Sequence, residues 1–503
     1  MSISRTEAGA VSSSHQSQLD PATGEAKSHN GKQWLSLSVL LVGNFVTILD
    51  LFIVNVALDN MRGSLHATAA EVQLFIVGYS VPYGIMLLNG ARLGDLYGRR
   101  RLFLIGMAVF TIASALCGFA QSPAMLIGAR ALQGLGAALL MPQVFTSLRI
   151  LFDGEQRRRA FGIMGAVQGV AACISQLAGG VLIDYGVAGL GWRLVFLINV
   201  PIGIVALIAG RVLIVETRAP GAARLDLRGA VIAAIGLALL LLPFMEGQDY
   251  GWPWWSLALP VLSIPVFAYF AYYERRLSAA GGVPIIDVSL FRNIRFVYGV
   301  AGIFLFYSAI SSFFLSLTML LQPGLGLSPL WAGAVFTPSA VTFFAAALIS
   351  PKLAASIGHR ALLTGVTIFG LSLLVAIATG ALAPANLSLL VVALMLNGAG
   401  QGLVIPLALN TVLGGVRDDQ AGMGSGIVST LQVMGTSFGV AIVGVLFFSF
   451  APQLADPATQ ASAAYAGHAL SMATIYNLAA VIASFAGFYL LTRSTDAQHR
   501  RQT

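Results

Sequence analysis

One carboxylate and one guanidinium lie deep inside apolar stretches of this sequence, where a charged side chain is costly. Asp50 stands within an apolar run from Trp34 to Leu58, away from both ends of that run. Arg130 is the only basic residue inside another such run. A charge at the centre of a membrane helix costs about 2.5–3.5 kcal/mol on insertion scales, so it normally faces a cavity or a partner. Since arginine keeps its proton, Arg130 needs a permanent partner or water, whereas Asp50 can take up and release a proton. These two residues are therefore predicted to carry proton coupling or substrate binding.

A second cluster of charges lies between the second and third apolar runs, in the segment Gly90–Arg101. Gly98 allows a tight reversal of the chain. Asp95 can pair with a nearby arginine or with the positive end of a helix. We predict a charge-pair latch that gates a conformational change, and the alternative is a plain positive anchor at the membrane surface. The residues assigned to this gating loop are Gly90, Arg92, Asp95, Gly98, Arg99 and Arg100.

The fifth apolar run carries small residues that favour close helix contacts, although such residues are common in membrane helices. This span-5 motif comprises Gly165, Gly169, Ser175, Gln176, Gly179 and Gly180.

Amide side chains in or near the apolar runs are candidates for lining a cavity, while an interhelical hydrogen bond is the commoner role for each. The candidates are Asn55, Gln133, Gln322, Asn397 and Gln432.

The elements that must position these residues are membrane-spanning helices. The chain is 57% hydrophobic and only 10% charged, which excludes an ordinary soluble protein. Runs of about 20 apolar residues predict fourteen spans, at about 34–58, 72–91, 102–120, 123–148, 161–183, 194–214, 229–247, 255–273, 297–321, 331–350, 362–382, 387–409, 422–450 and 470–492. The first 33 residues are polar and contain no apolar core, so we expect a disordered tail there.

Basic residues predict the orientation of the chain, since loops on the cytoplasmic side are enriched in them. With both termini on one side, that side receives Arg92, Arg99, Arg100, Arg101, Arg149, Arg157, Arg158, Arg159, Arg275, Arg276, Lys352 and Arg360. The opposite side receives only Arg62 and Arg193. Both termini are therefore predicted to be cytoplasmic. This placement explains the net charge of +8 without nucleic acid as a partner.

The two ends of the chain repeat one another. At an offset of 260, ARLGDLYGRRRL (Ala91 to Leu102) matches PKLAASIGHRAL (Pro351 to Leu362) in glycine, leucine and basic positions. We predict a cytoplasmic tail at 1–33, six-helix bundles at 34–214 and 296–492, a two-helix insertion at 215–295, and a second cytoplasmic tail at 493–503. Two related bundles around one axis are the architecture of alternating access, with the site between them near the midplane.

The sequence offers no constellation typical of an enzyme. None of its three lysines closes a phosphate-binding loop, which argues against ATP as the energy source. No metal-ligand or nucleophile pattern is present, so we expect no cofactor and no metal, and the proton-motive force as the driving energy.

These motifs together resemble the major facilitator superfamily. The fourteen spans, ILDLFIVNVAL (Ile48 to Leu58) and WRLVFLINVPIG (Trp192 to Gly203) resemble its fourteen-span drug:proton antiporter family over nearly the whole chain. The resemblance implies an all-helical transporter that exports lipophilic, often cationic compounds across the inner membrane in exchange for protons. It implies coupling by Asp50, proton transfer by Arg130, and gating by Asp95 with Arg99. The expected partners are a small-molecule substrate, protons and the lipid bilayer, and the expected state is a monomer.

The chain departs from the family pattern at several positions. Phe52 replaces a usual threonine, Asp59 a usual proline, and Leu96 a usual arginine. Ser175-Gln176 stand where the family carries Gly-Pro, an element tied to antiport. A facilitator or a proton symporter of a small metabolite therefore stays open as an alternative. A non-transporting membrane receptor or scaffold is the remote alternative.

Overall fold

A computed structural model describes residues 22–186, 189–217, 226–247, 250–251, 253–282, 284–286, 288–414, 416, 421–450 and 463–502. Within these ranges the chain is helical and contains no β-strand. The principal helices are α1 (Ala22–Leu65), α2 (Ala69–Tyr97), α3 (Arg99–Gly118), α4 (Pro123–Leu151), α5 (Gly154–Asp184), α6 (Leu194–Leu197), α7 (Asn199–Leu213), α8 (Leu227–Glu246), α9 (Trp254–Ala279), α10 (Ile294–Met319), α11 (Pro329–Ile357), α12 (Arg360–Leu382), α13 (Leu387–Leu413), α14 (Ala421–Phe450) and α15 (Ala463–Gln502).

Thirteen segments in the described ranges are long and apolar enough to cross a membrane, and each coincides with a predicted span. α6 and α7 together form the sixth of them, Gly191–Leu213. The remaining predicted span, the seventh, falls on α8, whose described apolar stretch Leu227–Pro243 is shorter. We call "inner" the side on which the predicted topology places the termini, and "outer" the opposite side.

Helix ends differ from the predicted span ends in three places. α1 begins at Ala22, within the predicted tail, while residues 1–21 lie outside the described residues. α15 continues to Gln502, through most of the second predicted tail. α2 continues to Tyr97, so the predicted gating loop is helical up to that point. Only Gly98 leaves the helix, with φ +104°. The prediction of a loop from Gly90 onward is therefore wrong, because charged side chains mark the membrane edge without ending the helix.

The sequence repeat extends to helix packing. A Cβ on Gly134 of α4 would lie 2.2 Å from the carbonyl oxygen of Tyr79 on α2, and one on Gly398 of α13 would lie 1.9 Å from that of Ser339 on α11. The missing side chain thus allows the same close contact in both halves. Tyr79 and Ser339 are 260 positions apart, which is the offset of the sequence repeat, and Gly134 and Gly398 are 264 positions apart. α2 with α4 and α11 with α13 are therefore related pairs.

The two halves meet along two helix pairs, α5 with α11 and α2 with α14. Asp184 at the outer end of α5 accepts hydrogen bonds from Ser328 Oγ at 2.5 Å and from the backbone N–H of Leu330 at 3.2 Å. Ser80 and Ser437 are hydrogen-bonded across α2 and α14, with 2.8 Å between their Oγ atoms. Of these contacts, the bond between Ser80 and Ser437 lies farther toward the inner side, near the middle of α2 and of α14.

The inner ends of α5 and α11 do not touch in this way. A Cβ on Gly169 would meet Phe344 of α11, whereas a Cβ on Gly165 or Gly162, closer to the inner end, would have no neighbour within 4 Å. The contacts between the halves therefore run from the outer ends of these helices to about their middle, where Thr430 Oγ1 of α14 donates to the carbonyl oxygen of Gly84 on α2 at 3.3 Å. This arrangement is closed outward and separates toward the inner side.

α8 and α9 form a pair that covers the seam between the halves. Apolar residues of α8 pack with Ile85 on α2 and Met434 on α14, and Ile285 completes the cluster from the segment after α9. α9 packs mainly on α8 and leaves the side chains of Trp254 and Val261 exposed. These side chains are suited to contact with lipid.

Candidate functional site

Asp50 and Arg130 form an ion pair in the core of the first half. Arg130 Nη1 lies 2.6 Å from Asp50 Oδ2. The side chains are 0% and 1% exposed, respectively. Asp50 comes from the middle of α1, and Arg130 comes from the second turn of α4. The sequence therefore identified both members of the pair, and the structure brings them together.

Two amides saturate the second oxygen of Asp50. Gln133 Nε2 donates to Asp50 Oδ1 at 2.8 Å, and Asn199 Nδ2 donates to the same oxygen at 3.0 Å. Both amides also reach Ser114 Oγ on α3, at 3.2 and 3.1 Å. Ser114 donates in turn to the carbonyl oxygen of Phe196 at 2.8 Å. α1, α3, α4 and α7 thus converge on a single carboxylate, which is fully hydrogen-bonded in its ionised form.

Arg130 is held by further contacts on α2. Its Nε donates to the carbonyl oxygen of Phe75 at 2.9 Å, and its guanidinium carbon lies 4.4 Å from the centre of the Tyr79 ring. Gln133 accepts from Arg130 Nη1 at 2.7 Å. Gly134 allows α4 to approach α2 closely enough for these contacts. A cation stacked on an aromatic face and bonded to a carboxylate is stable in an apolar interior.

The chemistry available here is reversible protonation of Asp50. When Asp50 is ionised, its charge is matched by Arg130. When Asp50 takes a proton, Arg130 loses its counter-charge but cannot lose its own proton. A buried, unmatched cation is unfavourable, so protonation favours any rearrangement that gives Arg130 water or another anion. The pair can therefore convert proton binding into a conformational preference.

The gating motif contains the predicted charge pair. Arg99 Nη2 is bonded to Asp95 Oδ1, and the Arg99 side chain is buried. Arg99 also contacts Thr217, through its backbone N–H at 3.1 Å and its side chain at 3.3 Å. The backbone N–H of Arg100 donates to Glu216 Oε1 at 3.1 Å.

Other members of the gating motif have packing roles or different partners. Arg92 donates to the carbonyl oxygen of Pro284, in the segment that follows α9. Gly90 packs against the backbone of α4, where a Cβ would lie 2.0 Å from the carbonyl oxygen of Ala138. Together with the contacts of Thr217 and Glu216, the Arg92 bond shows that the linkers on both sides of the α8–α9 pair dock on this motif.

Of the five amides predicted to line a cavity, the structure places only Gln133 at Asp50. Asn55 donates to the carbonyl oxygen of Phe52 in its own helix. Gln322 donates to the carbonyl oxygen of Val56 at 2.8 Å and so links the second half to α1. The remaining two bond within the second half, Asn397 to Gln401 and Gln432 to Tyr307.

The span-5 motif is a packing surface along most of its length. A Cβ on Gly179 would meet Ile53 of α1, and one on Gly180 would lie 2.5 Å from the backbone of Leu330 on α11. Gln176 Nε2 donates to the carbonyl oxygen of Phe52 at 3.3 Å. Ser175 donates within its own helix. Gly169 and Gly165, described above, mark the point at which α5 and α11 separate.

Sequence reasoning missed two residues of the site. Asn199 lies within the motif WRLVFLINVPIG, but its residue type does not distinguish it from the other amides near the membrane. Ser114 is one of two hydroxyl residues on an otherwise apolar helix, a pattern with no signal of its own. Both are recognised only once α3 and α7 are placed beside α1.

Comparison with known proteins identifies the family. Residues 40–440 match the profile of the Major Facilitator Superfamily. The chain is 36% identical over 423 residues to the cephamycin export protein CmcT of Amycolatopsis lactamdurans, which covers 81% of this chain and 84% of that protein. It is 33% identical over 470 residues to the puromycin resistance protein of Streptomyces alboniger, covering 92% and 90% of the two chains.

The fold is also that of solved transporters. A bacterial homologue of the human drug peptide transporters PepT1 and PepT2 aligns with a TM-score of 0.63 at 15% identity, over 94% of this chain and all of that one. With a profile match over most of its length and relatives that are antibiotic exporters, this chain belongs to the Major Facilitator Superfamily.

Proposed function

We propose that this protein is a proton-coupled exporter of lipophilic drugs or toxic metabolites, of the fourteen-span drug:proton antiporter type. It would act in the cytoplasmic (inner) membrane, as a monomer with both termini in the cytoplasm. Relatives named for cephamycin export and puromycin resistance support a drug substrate. The observation that carries proton coupling is the fully buried Asp50–Arg130 pair.

Asp50 is the group that binds the transported proton. In the outward-closed arrangement described here, the acid is ionised, and Arg130, Gln133 and Asn199 saturate it. Substrate enters between the separated inner ends of the halves. A proton arriving on Asp50 after the outward opening releases Arg130, and its loss to the cytoplasm restores the pair. Exchange of substrate for proton then follows, because the two have competing effects on the Asp50–Arg130 pair.

A preference for cations requires Asp50 to be released from Arg130. In the present arrangement the acid already has a counter-charge and presents no free negative charge to a substrate. We propose that a lipophilic cation competes with Arg130 for this carboxylate during the cycle. Neutral lipophilic compounds would instead depend on packing in the cavity.

The test uses the purified full-length protein in liposomes with an imposed pH gradient and an internal pH-sensitive dye. The compounds are puromycin, a lipophilic phosphonium cation, a neutral antibiotic and an organic anion. We expect proton flux opposite to substrate flux, lost in Asp50→Asn. Asp153→Asn is the matched control, because Asp153 is an exposed carboxylate at the start of α5. Unchanged transport and unchanged pH dependence in Asp50→Asn would refute the role of Asp50.

The alternative of a facilitator or symporter is favoured by one observation, the presence of Ser175-Gln176 in the span-5 motif. Gln176 bonds to α1 and its backbone packs against Gly333 of α11. The same liposome assay separates the alternatives. Parallel proton and substrate fluxes would mean symport, and substrate movement without proton flux would mean facilitation.

A further inference from the structure

A second pair of carboxyl groups is buried where the two extra helices meet at their inner ends. Asp226 immediately precedes α8, and Glu274 lies in the last turns of α9. They are 5% and 0% exposed. Neither belongs to the Asp50 site or to any motif recognised in the sequence.

One oxygen of each carboxyl group is satisfied by donors. Asp226 Oδ1 accepts from the backbone N–H of Gly229 at 2.8 Å and from the hydroxyl of Tyr273 at 3.0 Å. Glu274 Oε2 accepts from the backbone N–H of Ile286 at 3.2 Å. These bonds fix the orientation of both groups.

The other oxygen of each group has no donor among the described residues. Asp226 Oδ2 and Glu274 Oε1 are both buried and unpartnered. Each lies 2.4 Å from the point that a Cβ on Gly229 would occupy, so they are separated by no more than twice that distance. The two unpartnered oxygens therefore face the same space beside Gly229. A hydrogen bond between two carboxyl oxygens exists only if one of them carries a proton.

We propose that Asp226 and Glu274 form a second protonation site, which holds one proton between Asp226 Oδ2 and Glu274 Oε1. Two carboxylates this close cannot both be ionised without strong repulsion, and burial adds to that cost. The pair therefore titrates as a unit. The absence of a side chain on Gly229 provides the space in which the two oxygens meet.

The surrounding charges link this proton to the gating motif. Arg92 of α2 interacts electrostatically with both carboxyl groups. It also donates to Pro284, two residues before the Ile286 N–H that binds Glu274. Among the described residues, the other ionisable groups around the pair are Tyr273 and Arg228, which lies on the exposed side of α8. Loss of the proton would place a second negative charge beside Arg92 and drive α8 and α9 apart, so the docking of the extra helices becomes pH-dependent.

Infrared spectroscopy of the full-length protein in lipid nanodiscs tests this site without a transport substrate. The stretching band of protonated carboxyl groups is followed from about pH 5 to about pH 10. We expect the wild type to retain a protonated carboxyl band at neutral pH that is missing in both Glu274→Gln and Asp226→Asn. In these variants an amide N–H₂ donates where the proton was, so the contact and the fold are kept. Asp50→Asn and Asp153→Asn should retain the band, which separates this site from the proposed transport site.

A second variant tests the link to Arg92. Removing its charge in Arg92→Gln takes away a cation that favours ionisation, so the band should persist to a pH about one unit higher. The melting temperature provides an independent measure, and its fall in alkaline buffer should be reduced in Glu274→Gln. A wild type without a protonated carboxyl at neutral pH would overturn the proposal. The same conclusion would follow if the band survived in both Glu274→Gln and Asp226→Asn.

Discussion

The Asp50–Arg130 pair predicts a large and specific coupling in a double-mutant cycle. Breaking a buried ion pair by removing one partner typically costs about 3–5 kcal/mol, because the other charge is left unmatched. The cost of Asp50→Asn should lie at the upper end of that range. Either oxygen that becomes an N–H₂ group then faces a donor, from Arg130 on one side or from Gln133 and Asn199 on the other.

Arg130→Gln differs from Asp50→Asn in its pH dependence. A lone buried Asp50 can neutralise itself by taking up a proton, whereas a lone Arg130 cannot lose one. The cost of Arg130→Gln should therefore be smaller in acid than in alkaline buffer. The cost of Asp50→Asn should change little over the same range.

The double variant Asp50→Asn/Arg130→Gln removes both charges together. Its cost should fall well below the sum of the single variants, with a coupling energy of about 3 kcal/mol. The measurement is reversible unfolding of the purified protein in mixed micelles. If the cost of the double variant equals the sum of the costs of the two single variants, the two charges are not energetically coupled, and the reasoning is refuted.

An exposed pair of the same residue types provides the control. Asp153 and Arg157 are bonded at 2.6 Å near the inner end of α5, with side chains 91% and 42% exposed. Solvent screens such a pair, so the cycle of Asp153→Asn and Arg157→Gln should show no measurable coupling. Equal couplings in the two cycles would show that burial is not the cause.

The packing of the helices leads to four further predictions. Ser80→Cys with Ser437→Cys should form a disulfide under mild oxidation and block transport until it is reduced, because the Oγ atoms are 2.8 Å apart, while each single variant stays insensitive to oxidant. Gly90→Ala should lower stability by about 1–3 kcal/mol, since its Cβ would strike the backbone of α4. Gly162→Ala, with open space around it, should be neutral or stabilising by up to about 1 kcal/mol in the same thermal unfolding assay. Asn199→Leu should cost about 1–3 kcal/mol in that assay, because the acid loses one of its donors and the amide's bond to α3 is lost as well.

The sequence predicted the helices well, because the length of the apolar run in a membrane-spanning helix is set by the thickness of the membrane. It also identified Asp50 and Arg130, since a charge in an apolar run is costly enough to be informative on its own. Hydropathy could not locate the end of α2, because it reports where a helix leaves the membrane and not where its backbone turns. Gly98, whose backbone has a positive φ, marks that point instead.

The sequence could not predict which side chains pair across the fold, for a different reason. Asp226 and Glu274 look like ordinary helix-end charges in the sequence, and only the packing of α8 on α9 buries them together. The same is true of Arg92, whose partner is a backbone carbonyl in a distant linker. A contact to a backbone atom does not depend on the type of the residue that provides that atom, so the sequence does not reveal it.

α1 is the element that joins the buried ion pair to the movement of the two halves. Every described hydrogen-bond partner of Asp50 belongs to the first half, so rotation of one half against the other need not disturb the pair directly. The carbonyl oxygen of Val56, six residues and about 9 Å farther along α1, accepts from Gln322 of the second half at 2.8 Å. Outward opening must break or stretch this bond. A change at Asp50 that shifts α1 along its axis would therefore reach the contact between the halves without any residue of the second half touching the acid.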